Sequence, residues 1–188
     1  MDDRATAPAP APTQATELLR RLGAADVPHP GGTLLAHLGR VRDQLAEWGA
    51  RPALRLAGLC HAVYGTDGFP SALLPLDRRA ELRSVIGAEA EEIVYFYASC
   101  DRAATYPALT DPGAPFRDRF TGRDAGPQDP GIFRDFAELT AANELDLARR
   151  DRAFRAEHGS GLLELFTRFG ALLSEPARRD CRAVLADA

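Results

Sequence analysis

Between His29 and Asp67 the chain reads HPGGTLLAHLGRVRDQLAEWGARPALRLAGLCHAVYGTD, and this stretch constrains the fold more than any other. Leu34, Leu38, Val41, Leu45 and Trp48 recur at steps of three and four, the period of a helix with one buried face. His37 falls on that face, beside Leu34, Leu38 and Val41. A second apolar segment, Pro52 to Val63, opens with a proline suited to a first helical turn and runs through Leu54, Leu56, Ala57, Leu59 and Cys60 to His61. The link Gly49, Ala50, Arg51 is short, so the two helices pack antiparallel or steeply crossed and a histidine on each can meet across the contact. Two neutral imidazoles facing one another are half of a site for Zn, Fe or Mn. The competing expectation is that each ring merely bonds a main-chain carbonyl.

Four segments carry a resemblance. His37 to Val41 (HLGRV) looks like a metal-histidine helix, and Leu56 to Ala62 (LAGLCHA) like an apolar helix of the type AALLHD. Leu82 to Val94 (LRSVIGAEAEEIV) is similar to a helix of the form FGxEVAxLV, and Leu139 to Asp146 (LTAANELD) to a segment of the form KLADRL. Together they resemble the HD-domain superfamily of helical metal-dependent phosphohydrolases and oxygenases, closest to the hydrolase domain of the Rel/Spo-type guanosine tetraphosphate enzymes. The resemblance spans about His29 to Arg149. It implies an all-α, HD-domain-like helical bundle with a divalent metal held at His37 and His61 and a last ligand position at Asn143. The departures are chemical: Ala62 stands in place of the aspartate of the HD pair, Asn143 in place of the last aspartate, and Gly65 and Thr66 in place of a glutamate-aspartate pair. A site of two histidines and one asparagine lacks hard anionic ligands and holds metal weakly, so guanosine tetraphosphate hydrolysis is not expected. Glu144 is the nearest replacement acid, but one residue out of register turns it by roughly 100°.

Composition bounds the remaining classes. The chain has 188 residues, 45% hydrophobic and 27% charged, which suits one core. A net charge of −4 offers no general field for nucleic acid or anionic membrane. All 23 basic residues are arginine, which excludes a lysine Schiff base and a P-loop lysine. Cys60, Cys100 and Cys181 are widely separated, without zinc or redox spacing, and fit a reducing interior. No signal-peptide pattern and no run of roughly 18 apolar residues occurs, so a cytoplasmic protein without membrane contact is expected.

In chain order, residues 1–13 form a Pro/Ala tail expected to be flexible, followed by a single helical domain over 14–188. Gln14 to Gly23 predicts a short helix. Pro28 to Gly32 predicts a turn; the resemblance implies that His29 takes the place of a basic side chain that reaches the substrate there, and the plainer expectation is an exposed loop histidine. After His61, Tyr64 and Asp67 lie in a glycine-rich loop; Asp67 supplies a missing carboxylate or closes its own turn. Asp77 predicts an N-cap for a helix through Leu82 and Ile86. The helix Ala88 to Cys100 carries Tyr97 and ends in Cys100, Asp101 and Arg102. There Cys100 is a candidate nucleophile, Asp101 a candidate ligand or base and Arg102 an anion contact, against the plainer expectation of a packed thiol and a surface ion pair. Ala103 to Gly131 predicts a long irregular insertion with a short strand or hairpin over Phe116 to Gly122, a candidate lid whose Arg117, Arg119 and Arg123 would meet an anion or be solvated. A helix from Ile132 to Ala148 carries Asn143. Gly159 to Gly161, after an exposed His158, predicts a break before two last helices, Leu162 to Leu173 and Pro176 to Leu185.

Two functions follow. One is a divergent enzyme acting on a small, anionic metabolite, with His37, His61, Asp101 and Cys100 as catalytic candidates and His29, Tyr64, Asp67, Tyr97, Arg102 and Asn143 as substrate contacts. It would use one Fe, Mn or Zn ion or metal-free acid/base chemistry, with hydrolysis, elimination, cyclisation and oxidation all open. The other is a small-molecule-binding or scaffold protein on the same fold whose cavity has lost its chemistry. The oligomeric state is not legible.

Overall fold

A computed structural model of the chain describes residues 10–111, 115–125 and 129–186. The expected tail at residues 1–9 lies outside them; Ala11 to Thr13 already belong to helix α1 (Ala11–Arg21), whose start tolerates Pro12 because the first-turn amides need no partner. A Pro30-Gly31 turn, with Gly31 at φ 77°, pairs strands β1 (Pro28–His29) and β2 (Gly32–Thr33) antiparallel. Thr33 then caps α2 (Leu34–Glu47) by accepting from the Ala36 amide. The expected turn is therefore a small hairpin that fixes His29 directly ahead of the helix carrying His37.

Helix α3 (Pro52–Cys60) packs on α2, and the chain leaves it through His61. Gly58 permits that close approach, since a Cβ there would stand 2.5 Å from Leu45 Cδ1. Asp77 is not an N-cap: it sits in a 3₁₀ turn (Leu76–Arg78) imposed after Pro75, and α4 (Arg79–Ile86) follows. Gly87, at φ 85°, separates α4 from α5 (Ala88–Ser99). Next come the short α6 (Arg102–Thr105) and the hairpin of β3 (Phe116–Asp118) with β4 (Arg123–Ala125), as the alternation of apolar and charged residues predicts.

Helix α7 (Pro130–Arg150) is the axis of the bundle, lying against α2, α3 and α5, and against α8 (Arg152–Arg168) and α9 (Glu175–Leu185). Its residues from Asp135 to Asp146 are buried without interruption, with Ala137, Ala141 and Ala142 letting neighbours approach. The expected break at Gly159 to Gly161 does not occur. A glycine costs a helix only about 1 kcal/mol relative to alanine, and Gly159 is buried in a helix packed against both α7 and α9. The chain turns later, at Phe169–Ala171, and Ser174 caps α9. The fold is all-α apart from the two hairpins, and one continuous apolar core runs from Ala15 to Leu185. No described helix is long and apolar enough to cross a membrane.

Candidate functional site

His37 and His61 meet as the helical periods predict, with ring centroids 5.3 Å apart. Both are buried, and Asn143 of α7 reaches between them: its Oδ1 lies 3.0 Å from His37 Nε2 and 3.1 Å from His61 Nε2. The outer nitrogen of each ring is anchored. His37 Nδ1 lies 2.7 Å from Asp146 Oδ2, and His61 Nδ1 lies 2.8 Å from the Gly58 carbonyl. Arg40 holds Asp146 from the other side, donating from Nε and Nη2 at 2.7 and 2.8 Å. Burial alone would raise the Asp146 carboxyl, but the hydrogen bonds from His37 and Arg40 outweigh it and hold it down at about 2.

These contacts decide where the protons are. Burial, helped by the charge of His37, pushes His61 down to about 3, so the ring is neutral near neutral pH and carries one proton. A carbonyl faces its Nδ1, so the proton sits there and Nε2 presents a lone pair to Asn143 Oδ1. His37 Nδ1 faces the Asp146 carboxylate, which favours the Nδ1–H tautomer, and its Nε2 faces the same amide oxygen. The amide is oriented by Nδ2, which donates to Glu144 Oε1 at 3.2 Å; turned over, its oxygen would face that carboxylate. With each ring in its Nδ1–H tautomer, two ring nitrogens and the amide oxygen converge as three acceptors.

That arrangement fits a cation. Ligand atoms bound to one ion at about 2.1 Å stand about 3.0–3.4 Å from one another, and an imidazole ligand characteristically donates its other N–H to a carboxylate or a carbonyl. Among the described residues no group of three or more histidine, cysteine, aspartate or glutamate side chains is disposed to hold a metal; the third donor here is an amide oxygen. The donor set is uncharged, so the affinity it supports is modest.

The triad lines a cavity of about 320 Å³ whose walls include His29, Leu34, Ala62, Thr66, Phe69, Arg102, Glu144 and Phe154. His29 stacks on His37 at 4.0 Å between centroids and meets Phe69 edge-on. Burial and the charge of His37 lower it to about 4. Its Nδ1 is buried without a hydrogen-bond partner among the described residues. Arg102 donates to Glu144 Oε1 at 3.1 Å and to the Tyr97 hydroxyl at 3.2 Å. Tyr97 backs His61 edge-on, with centroids 5.5 Å apart, from behind the wall.

Other expected contributors point elsewhere. The Asp101 carboxylate caps α6 by accepting from the Ala104 amide, and Asp67 ties the loop after α3 to the start of α6 by accepting from the Arg102 amide; neither lines the cavity. Cys100 is buried and its thiol is pushed up to about 12, chiefly by burial; it is a packed thiol and not a nucleophile. Tyr64 donates its hydroxyl to the buried Glu91, which also receives Arg79 and Arg83. The insertion's arginines do not line the cavity: Arg117 pairs with Asp124, Arg119 donates to the Ala98 carbonyl, and Arg123 is exposed. Residues 112–114 and 126–128 of the expected lid lie outside the described residues. Arg40 and Asp146 were not singled out by the sequence, although each lies three residues after a site residue on the same helix face, after His37 and Asn143. Glu144 reaches the cavity wall despite its register, because α7 is enclosed on all sides.

Residues 18–102 match the family model described as a domain of unknown function (DUF6817), a span that contains His29, His37, His61 and Arg102 but not Asn143, Glu144 or Asp146. No curated protein and no solved structure matches the chain.

Proposed function

We propose that the chain is a divergent HD-fold enzyme acting on a small anionic metabolite, with His37, His61 and Asn143 holding one divalent ion at the head of the cavity. One observation carries the reading. Each Nε2 stands from the amide oxygen at the spacing of two ligands on one ion, while Asp146, Gly58 and Glu144 fix the outer sides of all three groups. A bound ion supplies a Lewis acid and lowers the pKa of water beside it. Asp146 orients His37 and the Gly58 carbonyl orients His61, so neither ring turns to satisfy itself elsewhere. Leu34, Phe69 and Phe154 shed water from the cavity, and Arg102 offers a positive charge to an anion. With His37 and His61 taken up as ligands, proton transfer falls to Glu144, whose carboxylate lines the wall and is released for it when Arg102 turns to a bound anion. A second reading, a ligand-binding domain without chemistry, is favoured by one fact: Glu144 and Asp146 are both tied to arginines and neither is a free base.

The test is a titration of purified, chelator-stripped protein with Mn²⁺, Fe²⁺ and Zn²⁺, followed by metal analysis and thermal midpoint. One ion per chain is expected in the wild type, lost in His37→Ala and in His61→Ala. A wild-type protein that retains no ion and shows no shift in midpoint at millimolar metal overturns the metal reading.

A further inference from the structure

The charges around the histidine cavity select its ligand. His37, His61 and Asn143 bring no negative charge, and the two nearby carboxylates are each neutralised by an arginine, Asp146 by Arg40 and Glu144 by Arg102. A divalent ion in this setting leaves its positive charge uncompensated, and a ligand that binds beside it must be an anion.

The donors available decide which anion. Among the described residues Arg102 is the only arginine on the wall, and the chain has no lysine. Each of its terminal nitrogens donates one hydrogen bond, to Glu144 and to Tyr97; Nε–H and the remaining hydrogens have no partner among the described residues. Main-chain amides that would cradle a phosphate are already spent. Arg102 N donates to Asp67 and Ala104 N to Asp101, so two carboxylates close the start of α6 next to the cavity. One planar guanidinium matches the two oxygens of a carboxylate, and among the described residues no second arginine stands on the wall to neutralise the further charge of a phosphoryl group. Leu34, Ala62, Phe69, Leu147 and Phe154 face the rest of the space with apolar surface. The volume, about 320 Å³, lies at the small end for a ligand pocket, about 300–1,000 Å³.

From this we infer that the cavity takes a compact carboxylic acid with an apolar body, its carboxylate set between Arg102 and the histidine centre and its body against Leu34, Phe69 and Phe154. The inference rests on the proposed ion site for the strength of binding, and on Arg102 and the plugged α6 terminus for the choice of carboxylate over phosphate.

Calorimetric titration with benzoate, phenyl phosphate and benzyl alcohol separates the possibilities, run on Mn²⁺-loaded protein and again in chelator. In loaded protein benzoate binds at least about tenfold more tightly than either other probe. Ion and benzoate strengthen one another by the same factor, as linkage requires. Arg102→Gln weakens benzoate about tenfold, while the freed Glu144 carboxylate keeps the Mn²⁺ affinity measured without benzoate at or above that of the wild type. Glu144→Gln frees the guanidinium and tightens benzoate several-fold, which decides the matter should the Arg102 variant fail to fold. Phenyl phosphate matching benzoate, benzyl alcohol matching benzoate, or benzoate indifferent to both substitutions overturns the inference. Benzoate binding that persists in chelator, in a protein that takes up no Mn²⁺, removes the ion from the proposed function and leaves the carboxylate site standing.

Discussion

Asn143 concentrates the chemistry of the site in one carboxamide, because its oxygen meets both imidazoles while its nitrogen is held by Glu144. Asn143→Asp adds an anionic ligand but sets it against the Glu144 carboxylate. The metal-free variant should therefore melt below the wild type, and the added ion should shift its midpoint further, with affinity raised at least about tenfold. Asp146→Asn works the opposite way: it removes the negative charge and one of the two oxygens that His37 and Arg40 share, and should weaken ion binding about 10–100-fold. Metal titrations of both variants check the pair. At this scale the sequence reveals residues whose role follows from helical period, His37 and His61, and hides those whose role follows from side-chain direction. Cys100, Asp101 and Arg102 are consecutive, yet one packs inward, one caps its own helix and one reaches the cavity. Nothing in their adjacency distinguishes them. Asp146 and Arg40 look like ordinary surface charges until α2 and α7 are placed side by side.

The crossing of α2 on α3 is the element that makes a site possible, and it depends on Gly58. Its missing Cβ admits the Leu45 side chain, and its carbonyl holds His61. Gly58→Ala forces Leu45 Cδ1 aside, with Val41 Cγ1 3.5 Å and the Arg42 Cα 3.7 Å from the same point limiting relaxation. The expected loss is about 1–3 kcal/mol. It should be measurable by chemical denaturation, with a parallel loss of ion affinity as the rings separate; an unchanged midpoint would mean that the helices slide freely. The amphipathic elements, α2 and α9 among them, were legible from period alone. Helix α8 was not, because two glycines signal a stop while burial against α7 and α9 keeps the helix going.

For the molecule as a whole, the buried histidines set an acid limit on stability. His29 and His61 are held at about 4 and about 3, below their ordinary 6.5, so the unfolded chain takes up protons that the folded chain refuses. Stability is complete above pH 6.5 and falls as pH drops through 6.5 toward 4 and 3. For fully buried His61 the slope reaches about 1.4 kcal/mol per pH unit. Scanning calorimetry should show a level midpoint above pH 7 and a steady decline below it, lessened in His29→Asn. A midpoint unchanged from pH 7 to 4.5 would contradict the burial of these rings. The all-helical class was legible in the sequence from period and composition. The central place of α7 was not, because its buried acids and asparagine give it the look of a half-exposed helix.

Cys60, Cys100 and Cys181 are each buried, and burial raises every thiol to about 12. The folded protein is therefore inert to thiol-directed alkylating reagents, whereas a chain that opens becomes labelled. The three sulfurs belong to separate parts of the bundle, the end of α3, the end of α5 and the middle of α9. Mass spectrometry of partially alkylated chains would thus date, corner by corner, the sequence in which the molecule comes apart.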